Sequence, residues 1–505
     1  MAGKALPENF KTRFRQLLGD EELQLYEACL QRPMEHGLRV NTLRTSVTDL
    51  VKIIPWETQP VPWCPGGRYL GEDADTMPPS KHPLYYAGAY YLQEPSAMLP
   101  AAALPVIPGE RVLDLCAAPG GKSTALAEKL QGSGLLLSND ISASRAKALI
   151  RNLELFGVEN AVVTAETPER LAAHFPDYFD KILIDAPCSG EGMFRKSSAM
   201  ISDWTEEKPG EYAALQREIV GYAIRMLRPG GMLLYSTCTY APEEDEGTVL
   251  YLLNLPEARE KGLRLTDIPG CPGFVPGNGD WLSDTIYQEI GIDPGAEGVA
   301  GQVASLSKTV HMYPHRLRGE GHFAALFTCG DTEEMKNGEY PPSGNTPEAY
   351  ELPGKKKDPE KLKKKLPEFS EFAAGLHRDW DPARLKLSQG YLAYLPDVEH
   401  FERDFSGLRV LRSGLFLGEV KKNRFEPSQA LAMTLDRDRF PNTLELSPND
   451  ERVMRYLRGE TLEIAPEEAR DGWILVTVAG FPLGFGKTKN GNVKNKLLPG
   501  WRMNA

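Results

Sequence analysis

The sequence lacks any run of about 18 apolar residues, the length at which a helix could cross a bilayer, so no membrane partner is expected. Its opening residues, Met1-Ala-Gly-Lys-Ala-Leu-Pro-Glu8, have no apolar core of the kind a signal peptide needs, which leaves the cytoplasm as the expected location. Cysteine is scarce and scattered. The seven residues (Cys29, Cys64, Cys116, Cys188, Cys238, Cys271, Cys329) form no Cys-x-x-Cys pair and have no His cluster nearby. That spacing argues against a disulfide framework and against a zinc site, so no metal is expected and the thiols are free for packing or chemistry. Positive charge is also short: the formal net charge is −12, which disfavours a chain that meets nucleic acid with its whole surface.

What basic charge there is lies late in the chain. The stretch 355–365 carries seven lysines against two acids, and 484–502 carries Lys487, Lys489, Lys494, Lys496 and Arg502 against none. With 505 residues the chain exceeds what one hydrophobic core supports, so several domains are expected.

Residues 1–105 combine an amphipathic stretch, Phe10 to Leu30, with a Pro- and Trp-rich region, and read as a small α+β accessory domain. From 106 to 330 short apolar runs alternate with helical stretches, the pattern of a parallel doubly wound α/β sheet. The runs are 111–117, 135–140, 161–165, 181–187 and 232–239, with a further strand at 322–328. Helices are predicted at 121–130, 143–156 and 211–227, the last stopped by Pro229-Gly230-Gly231. Residues 331–367 read as a Lys-rich linker and 368–505 as a C-terminal region containing a small β-rich domain, with alternating patterns at 405–422 and 472–486.

The first run of the α/β region ends in Asp114-Leu-Cys-Ala-Ala-Pro-Gly-Gly-Lys-Ser123 and enters a helix. A Gly-rich turn there sits at the carboxyl edge of the sheet, where doubly wound folds bind cofactors. Neither the dinucleotide pattern Gly-x-Gly-x-x-Gly nor a phosphate-binding loop fits, since the latter needs glycine where Cys116 stands. The second run ends in Asn139-Asp140, whose carboxylate is placed to accept hydrogen bonds from ribose hydroxyls. An adenosine cofactor fits both features.

Two later strand ends each carry a cysteine: Asp185-Ala-Pro-Cys188-Ser-Gly190 and Ser236-Thr-Cys238-Thr239. In a doubly wound sheet these strands are neighbours, so both thiols project into one cleft. Carbon 5 of a cytosine is too weak a nucleophile to attack a methyl sulfonium unaided. A thiolate adding at carbon 6 activates it, and a second thiol nearby can assist release afterwards. Asp185 can hydrogen-bond the amino edge or the protonated ring nitrogen of the base.

These residues resemble the Sun/Rsm group of RNA (cytosine-5) methyltransferases, most closely its bacterial RsmF-type ribosomal RNA members. The group's cofactor motif matches Cys116, Ala117, Ala118, Pro119, Gly120, Gly121 and Lys122. Its acidic ribose contact matches Asp140, its proline-cysteine motif 185–190, and its nucleophile motif 236–238. The resemblance implies S-adenosylmethionine as cofactor, with Asp185 also on the cofactor side, Cys238 as nucleophile and Cys188 as release residue. It implies a class I methyltransferase Rossmann-like sheet, an N-terminal RNA-binding domain announced by Leu38-Arg-Val-Asn-Thr-Leu43 and Tyr91-Leu-Gln-Glu-Pro-Ser96, and a PUA-like tail around Gly484-Phe-Gly-Lys487 and Leu498-Pro-Gly-Trp501. Its expected partner is ribosomal RNA or the small ribosomal subunit, with a cytosine near the decoding centre as target.

One departure stands out. The group often has an Asp after the third strand to meet the adenine amino group, where this chain has Ala165-Glu166-Thr167-Pro168. Lys122, Arg195 and Lys196, with Phe194 as a stacking ring, are candidates to hold a flipped base and its backbone, with a solvated loop as the alternative for Arg195 and Lys196. The tail adds Phe485 and Trp501 to its basic charge as candidate RNA contacts. Two other readings stay open on the residues: a transfer RNA substrate, and a non-catalytic RNA-binding or ribosome-assembly factor.

Overall fold

The computed structural model describes residues 5–196, 198–330, 364, 366–398 and 405–503. The lysine-rich stretch expected as a linker lies, apart from Lys364, outside the described residues.

The chain opens with helices Glu8–Leu18 and Asp20–Cys29, followed by strands β1 (Gly37–Val40), β2 (Thr58–Val61), β3 (Cys64–Leu70) and β4 (Tyr90–Leu92). These make an antiparallel sheet in the order β2-β3-β1-β4. The two helices bury Phe10, Phe14 and Tyr26 against Phe194, Trp204, Tyr240 and Tyr313, so the amphipathic stretch is docked on the central domain.

The central sheet begins with β5 (Arg111–Asp114), β6 (Leu135–Asn139), β7 (Ala161–Thr164), β8 (Phe179–Asp185) and β9 (Leu227–Thr237), all parallel. The chain returns through β10 (Arg264–Thr266), β11 (Phe274–Pro276), β12 (Val310–Met312) and β13 (His322–Thr328), with β13 antiparallel to β9. The order reverses at β5, which has β6 on one side and β8 on the other, and the crevice at that switch faces the strands' carboxyl ends. Successive strand residues point to opposite faces, and both faces are covered. Leu113, Leu137, Val162 and Ile182 join one core, while Val112, Leu136, Val163 and Leu183 join the other.

Each expected strand of this domain is present. One stop signal was misread. The helix Lys208–Met226 ends before Pro229-Gly230-Gly231, and those residues lie inside the opening of β9, where Gly230 takes φ 73°. The close packing of the two strands calls for glycine at 231, where a Cβ would come within 2.9 Å of the Asp180 carbonyl oxygen on β8.

Beyond the central domain come β14 (Leu385–Ser388), β15 (Tyr391–Tyr394), β16 (Val410–Ser413), β17 (Leu415–Lys421) and β18 (Arg424–Pro427). Then follow β19 (Thr443–Leu446), β20 (Leu462–Glu463), β21 (Gly472–Val478), β22 (Phe481–Lys489) and β23 (Asn492–Asn495). They form two sheets, β14-β15-β17-β18 and β19-β21-β22-β23-β20. The exception is β16, which leaves its neighbours and pairs antiparallel with β7, making it the edge of the central sheet. The last sheet also shares a core with the first: Leu38, Val40 and Tyr90 pack in one cluster with Leu444, Tyr456 and Val476.

Candidate active site

The turn after β5 needs its glycines. Gly120 caps the helix Gly121–Leu130 at φ 111°, a left-handed conformation that a side chain resists, and a Cβ there would meet the Leu149 side chain at 3.0 Å. Asp114 at the end of β5 is fully buried and accepts a hydrogen bond from Ser123 Oγ at 2.6 Å; burial pushes its carboxyl up to about 7. Cys116 is half-buried, and burial followed by the Asp114 charge drives its thiol far up, so it enters the site as a neutral wall.

Asp140 ends the β6 segment with its carboxylate tied to two backbone donors, Ala118 N–H at 3.3 Å and Ser142 N–H at 2.9 Å. Arg145 Nη2 also stands 3.4 Å from the oxygen that Ala118 meets, so the lone pair left for a hydroxyl is on the oxygen that Ser142 meets. Its neighbour Ile141 is 66% exposed, an apolar side chain left open beside the cofactor turn. The third strand answers the question raised at Glu166. That residue is buried, its Oε1 accepts the N–H of Arg409 at 2.5 Å, and Arg170 lies 3.3 Å from its other oxygen. Thr167 Oγ1 is occupied in capping the helix Pro168–His174. This end of the crevice is therefore walled by residues from both the central and the C-terminal parts of the chain.

Because β8 and β9 pair in register with Asp185 opposite Ser236, the residues just beyond come together. Cys188 Sγ and Cys238 Sγ stand 3.2 Å apart, and the Cys238 N–H points at Cys188 Sγ at 3.3 Å. The contact with the Cys238 thiol, then burial, raises the Cys188 thiol far above its ordinary range. Asp185 accepts from Lys122 Nζ at 2.6 Å and from Ser236 Oγ at 3.0 Å, with His322 Nε2 at 3.8 Å. Burial pushes its carboxyl up, but the Lys122 ammonium and these partners outweigh that and leave it below the usual range, ionised at neutral pH. Burial also holds His322 down at about 3, so its ring is neutral.

Several expected contacts have other work. Arg195 is buried against Glu320 at 2.8 Å, and Phe194 packs on Phe10 with ring centroids 5.0 Å apart, so neither reaches a substrate; of that group only Lys196 is exposed. Within Leu38–Leu43, Arg39 is 2% exposed and grips the helix Gly121–Leu130 through Glu128, Thr124 and the Gly121 carbonyl. Asn41 is fully buried on the carbonyls of Gly88 and Phe156. Glu94 accepts the N–H groups of Ser96, Ala97 and Glu320, which fixes the entry to β13. These segments brace the crevice at the carboxyl edge of the central sheet. In the tail, Phe485 is buried in a core, whereas Lys487, Lys489 and Lys494 are exposed and Lys487 lies directly opposite Lys494.

Among the described residues, Asp245, Glu246 and His311 have the makeup of a metal-binding group, with ligand atoms within 4.8 Å of one another. They are already engaged: His311 Nε2 meets Glu246 Oε1 at 2.7 Å, and Thr237 Oγ1 donates to Asp245 Oδ1 at 2.6 Å.

Comparison with known proteins gives the family. Residues 101–328 match the model for 16S rRNA methyltransferase RsmB/F and residues 6–95 that for the N-terminal domain of RsmF. Residues 371–435 match the RsmF first C-terminal domain and 443–503 the RsmF PUA domain. Ribosomal RNA small subunit methyltransferase F of Enterobacter sp. (strain 638) is 31% identical over 501 residues, 97% of this chain and 94% of that protein. The chain belongs to the RsmF family of 16S rRNA methyltransferases. A protein of the same name from Escherichia coli O81 (strain ED1a) is 31% identical over 97% of the chain and 95% of its own length.

Solved structures share the fold of part of the chain. A methyltransferase homologue from Pyrococcus horikoshii has a TM-score of 0.52 at 27% identity, covering 64% of this chain and 95% of that one. NSun6 from the same organism, solved with the S-adenosylmethionine analogue SFG, has a TM-score of 0.50 at 22% identity over 64% of this chain and 99% of that one, a likeness of fold. As a member of the RsmF family the chain is an S-adenosylmethionine-dependent rRNA methyltransferase. Among the described residues no helix is long and apolar enough to cross a membrane.

Proposed function

We propose that the chain methylates carbon 5 of a cytosine in 16S ribosomal RNA near the decoding centre, through a covalent bond between Cys238 and the base. The observation that carries this reading is the pair of thiols 3.2 Å apart at the ends of two adjacent parallel strands, beside the Gly-rich turn. Residues 116–122, Asp140 and Asp185 frame the cofactor site. The left-handed Gly120, the open Ile141 and the Asp140 carboxylate, with one oxygen free to accept from a hydroxyl, suit an adenosine moiety. S-adenosylmethionine, when bound, supplies the electrophilic methyl group.

The Cys238 thiolate forms an S–C6 bond, and the C5=C6 π electrons move to carbon 5, which becomes nucleophilic. The ionised Asp185, braced by Lys122 and Ser236, accepts a hydrogen bond from the amino group or the protonated ring nitrogen and stabilises the charge that develops. Once carbon 5 carries the methyl group, its proton leaves to a base, the double bond re-forms and the S–C6 electron pair returns to Cys238. Cys188, within van der Waals reach of the departing sulfur, assists that release.

The base must leave its stack, at a cost of a few kcal/mol. The tail supports this step. Lys487 and Lys494 face each other across two strands, a repulsive pair whose charge a phosphate backbone would offset, and the Trp473 ring lies 5.7 Å from Lys487 Nζ and 5.3 Å from Lys496 Nζ. We read the chain as an N-terminal accessory domain to about residue 105, a catalytic domain to 330, a linker to 367 and an RNA-binding C-terminal region. The partner is ribosomal RNA, free or in the small ribosomal subunit, a substrate that fits a cytoplasmic enzyme.

The test is methyl transfer from labelled S-adenosylmethionine to small ribosomal subunits, naked 16S rRNA and tRNA. Label on cytosine of the 16S rRNA is expected with wild type and none with Cys238→Ala. Label on tRNA alone moves the substrate, and no label on any RNA favours the assembly-factor reading.

A further inference from the structure

Ser189 and Thr239 each follow one of the two cysteines, and their hydroxyls meet at 2.8 Å. Beneath them lies Glu244, fully buried. Its Oε2 accepts the Ser189 N–H at 2.9 Å and Gln216 Nε2 at 2.9 Å, and its Oε1 accepts the Ser189 hydroxyl. Gln216 Nε2 also donates to the Pro187 carbonyl at 2.9 Å, so the peptide on either side of Cys188 is held. The backbone of Glu244 is itself anchored to β9, where Tyr235 Oη donates to its carbonyl at 2.8 Å. One carboxyl group thus ties the loop bearing Cys188 to the loop bearing Cys238.

We propose that Glu244 is a positioning residue of the methyl-transfer reaction, setting the separation of the two thiols by clamping Ser189 against Thr239. This rests on the roles given above to Cys188 and Cys238. Loops beyond strand ends are the mobile part of a doubly wound sheet. Two side chains that act in turn on one base need their sulfurs fixed to a fraction of an ångström. Burying a carboxyl without a lysine or arginine partner is expensive, and three donors converging on it supply the compensation. Glutamine at 244 keeps the contacts with one bond reversed: its amide oxygen accepts from the Ser189 N–H and Gln216, its nitrogen donates to Ser189 Oγ, and the Ser189 proton turns to Thr239 Oγ1. Alanine removes them.

The experiment uses full-length wild type, Glu244→Gln and Glu244→Ala. The first readout needs no RNA: diamide oxidation couples Cys188 to Cys238, the reagent taking up two electrons and the two thiol protons, and peptide mapping follows the disulfide with time. The second is kcat and KM on 16S rRNA. Glu244→Ala is expected to slow the coupling and to lower kcat on the order of 100-fold with KM for S-adenosylmethionine unchanged, and Glu244→Gln to restore both. Coupling and kcat at wild-type levels in Glu244→Ala overturn the proposal. So does a kcat loss that follows cofactor KM, or one that glutamine fails to rescue. If Glu244→Ala does not fold, Ser189→Ala, which removes only the hydroxyl bridge, is read by the same criteria. Slowed coupling in Glu244→Ala, with wild type silent on every RNA, leaves the clamp standing and fails the thiol roles instead.

Discussion

The carboxyl edge of the central sheet and the terminal hairpin of β22 and β23 use charge in opposite ways. At the sheet edge the ionisable groups are buried and displaced from their ordinary values: Asp114 up to about 7, Glu244 up to about 8, His322 down to about 3, each chiefly by burial. On the hairpin Lys487, Lys489 and Lys494 are exposed, and two of them oppose each other. Burial makes a group's chemistry specific at the cost of stability, whereas exposed like charges wait for an external counter-charge. Substitutions at the sheet edge should therefore cost turnover, and substitutions on the hairpin should cost RNA affinity.

The largest expected effect tests the sheet edge. Asp185→Asn removes the charge that Lys122 and Ser236 brace, and kcat should fall by about 10²–10³-fold in single-turnover methylation while RNA affinity holds. A change in RNA affinity alone would put Asp185 on the wrong side of the comparison. Next is the cofactor turn. Gly120→Ala must place a side chain at φ 111° against Leu149, with a cost of about 1–2 kcal/mol visible as a lower melting temperature, together with weaker S-adenosylmethionine binding by calorimetry.

How far the sequence foresaw these two regions differs in kind. The central strands were legible because strands buried on both faces are continuous apolar runs, and the cysteine-bearing ends followed from their neighbouring order. The partners of those ends were not. Glu244 sits six residues past Cys238 in a run of acids that looks like a solvated turn, and only the fold brings Ser189 and Gln216 to it. The alternation at 405–422 was legible as strand, but its partner was not: β16 pairs with β7, some 250 residues earlier, and local pattern carries no address. The segment Leu38–Leu43 read as part of an RNA-binding domain by resemblance, while the burial of Arg39 beside Glu128 is set by the fold and leaves no mark in the local sequence.

A smaller effect sharpens the hairpin side. Lys487→Gln should reduce RNA affinity similarly across sequences and lower the salt slope of binding by about 1, with turnover at saturating RNA unchanged. Its melting temperature should hold or rise, because the opposed Lys494 loses a like-charged neighbour.

The smallest effect is on stability against pH. The Asp114 carboxyl binds its proton more tightly folded than unfolded, so its contribution is fully present below pH 3.8 and is lost as pH rises through about 7. Between pH 5 and 8 the stability of wild type should fall relative to Asp114→Asn in urea melts, and parallel curves would remove Asp114 from the buried set.

The most direct test of the account is the site of the covalent bond. Cys188→Ala is incubated with 16S rRNA and S-adenosylmethionine, the protein–RNA species is isolated under denaturing conditions, and the digested adduct is mapped by mass spectrometry. A methylated cytosine nucleotide on the peptide containing Cys238 is the expected result. An adduct that forms instead in Cys238→Ala, on the peptide containing Cys188, would contradict it and exchange the two roles.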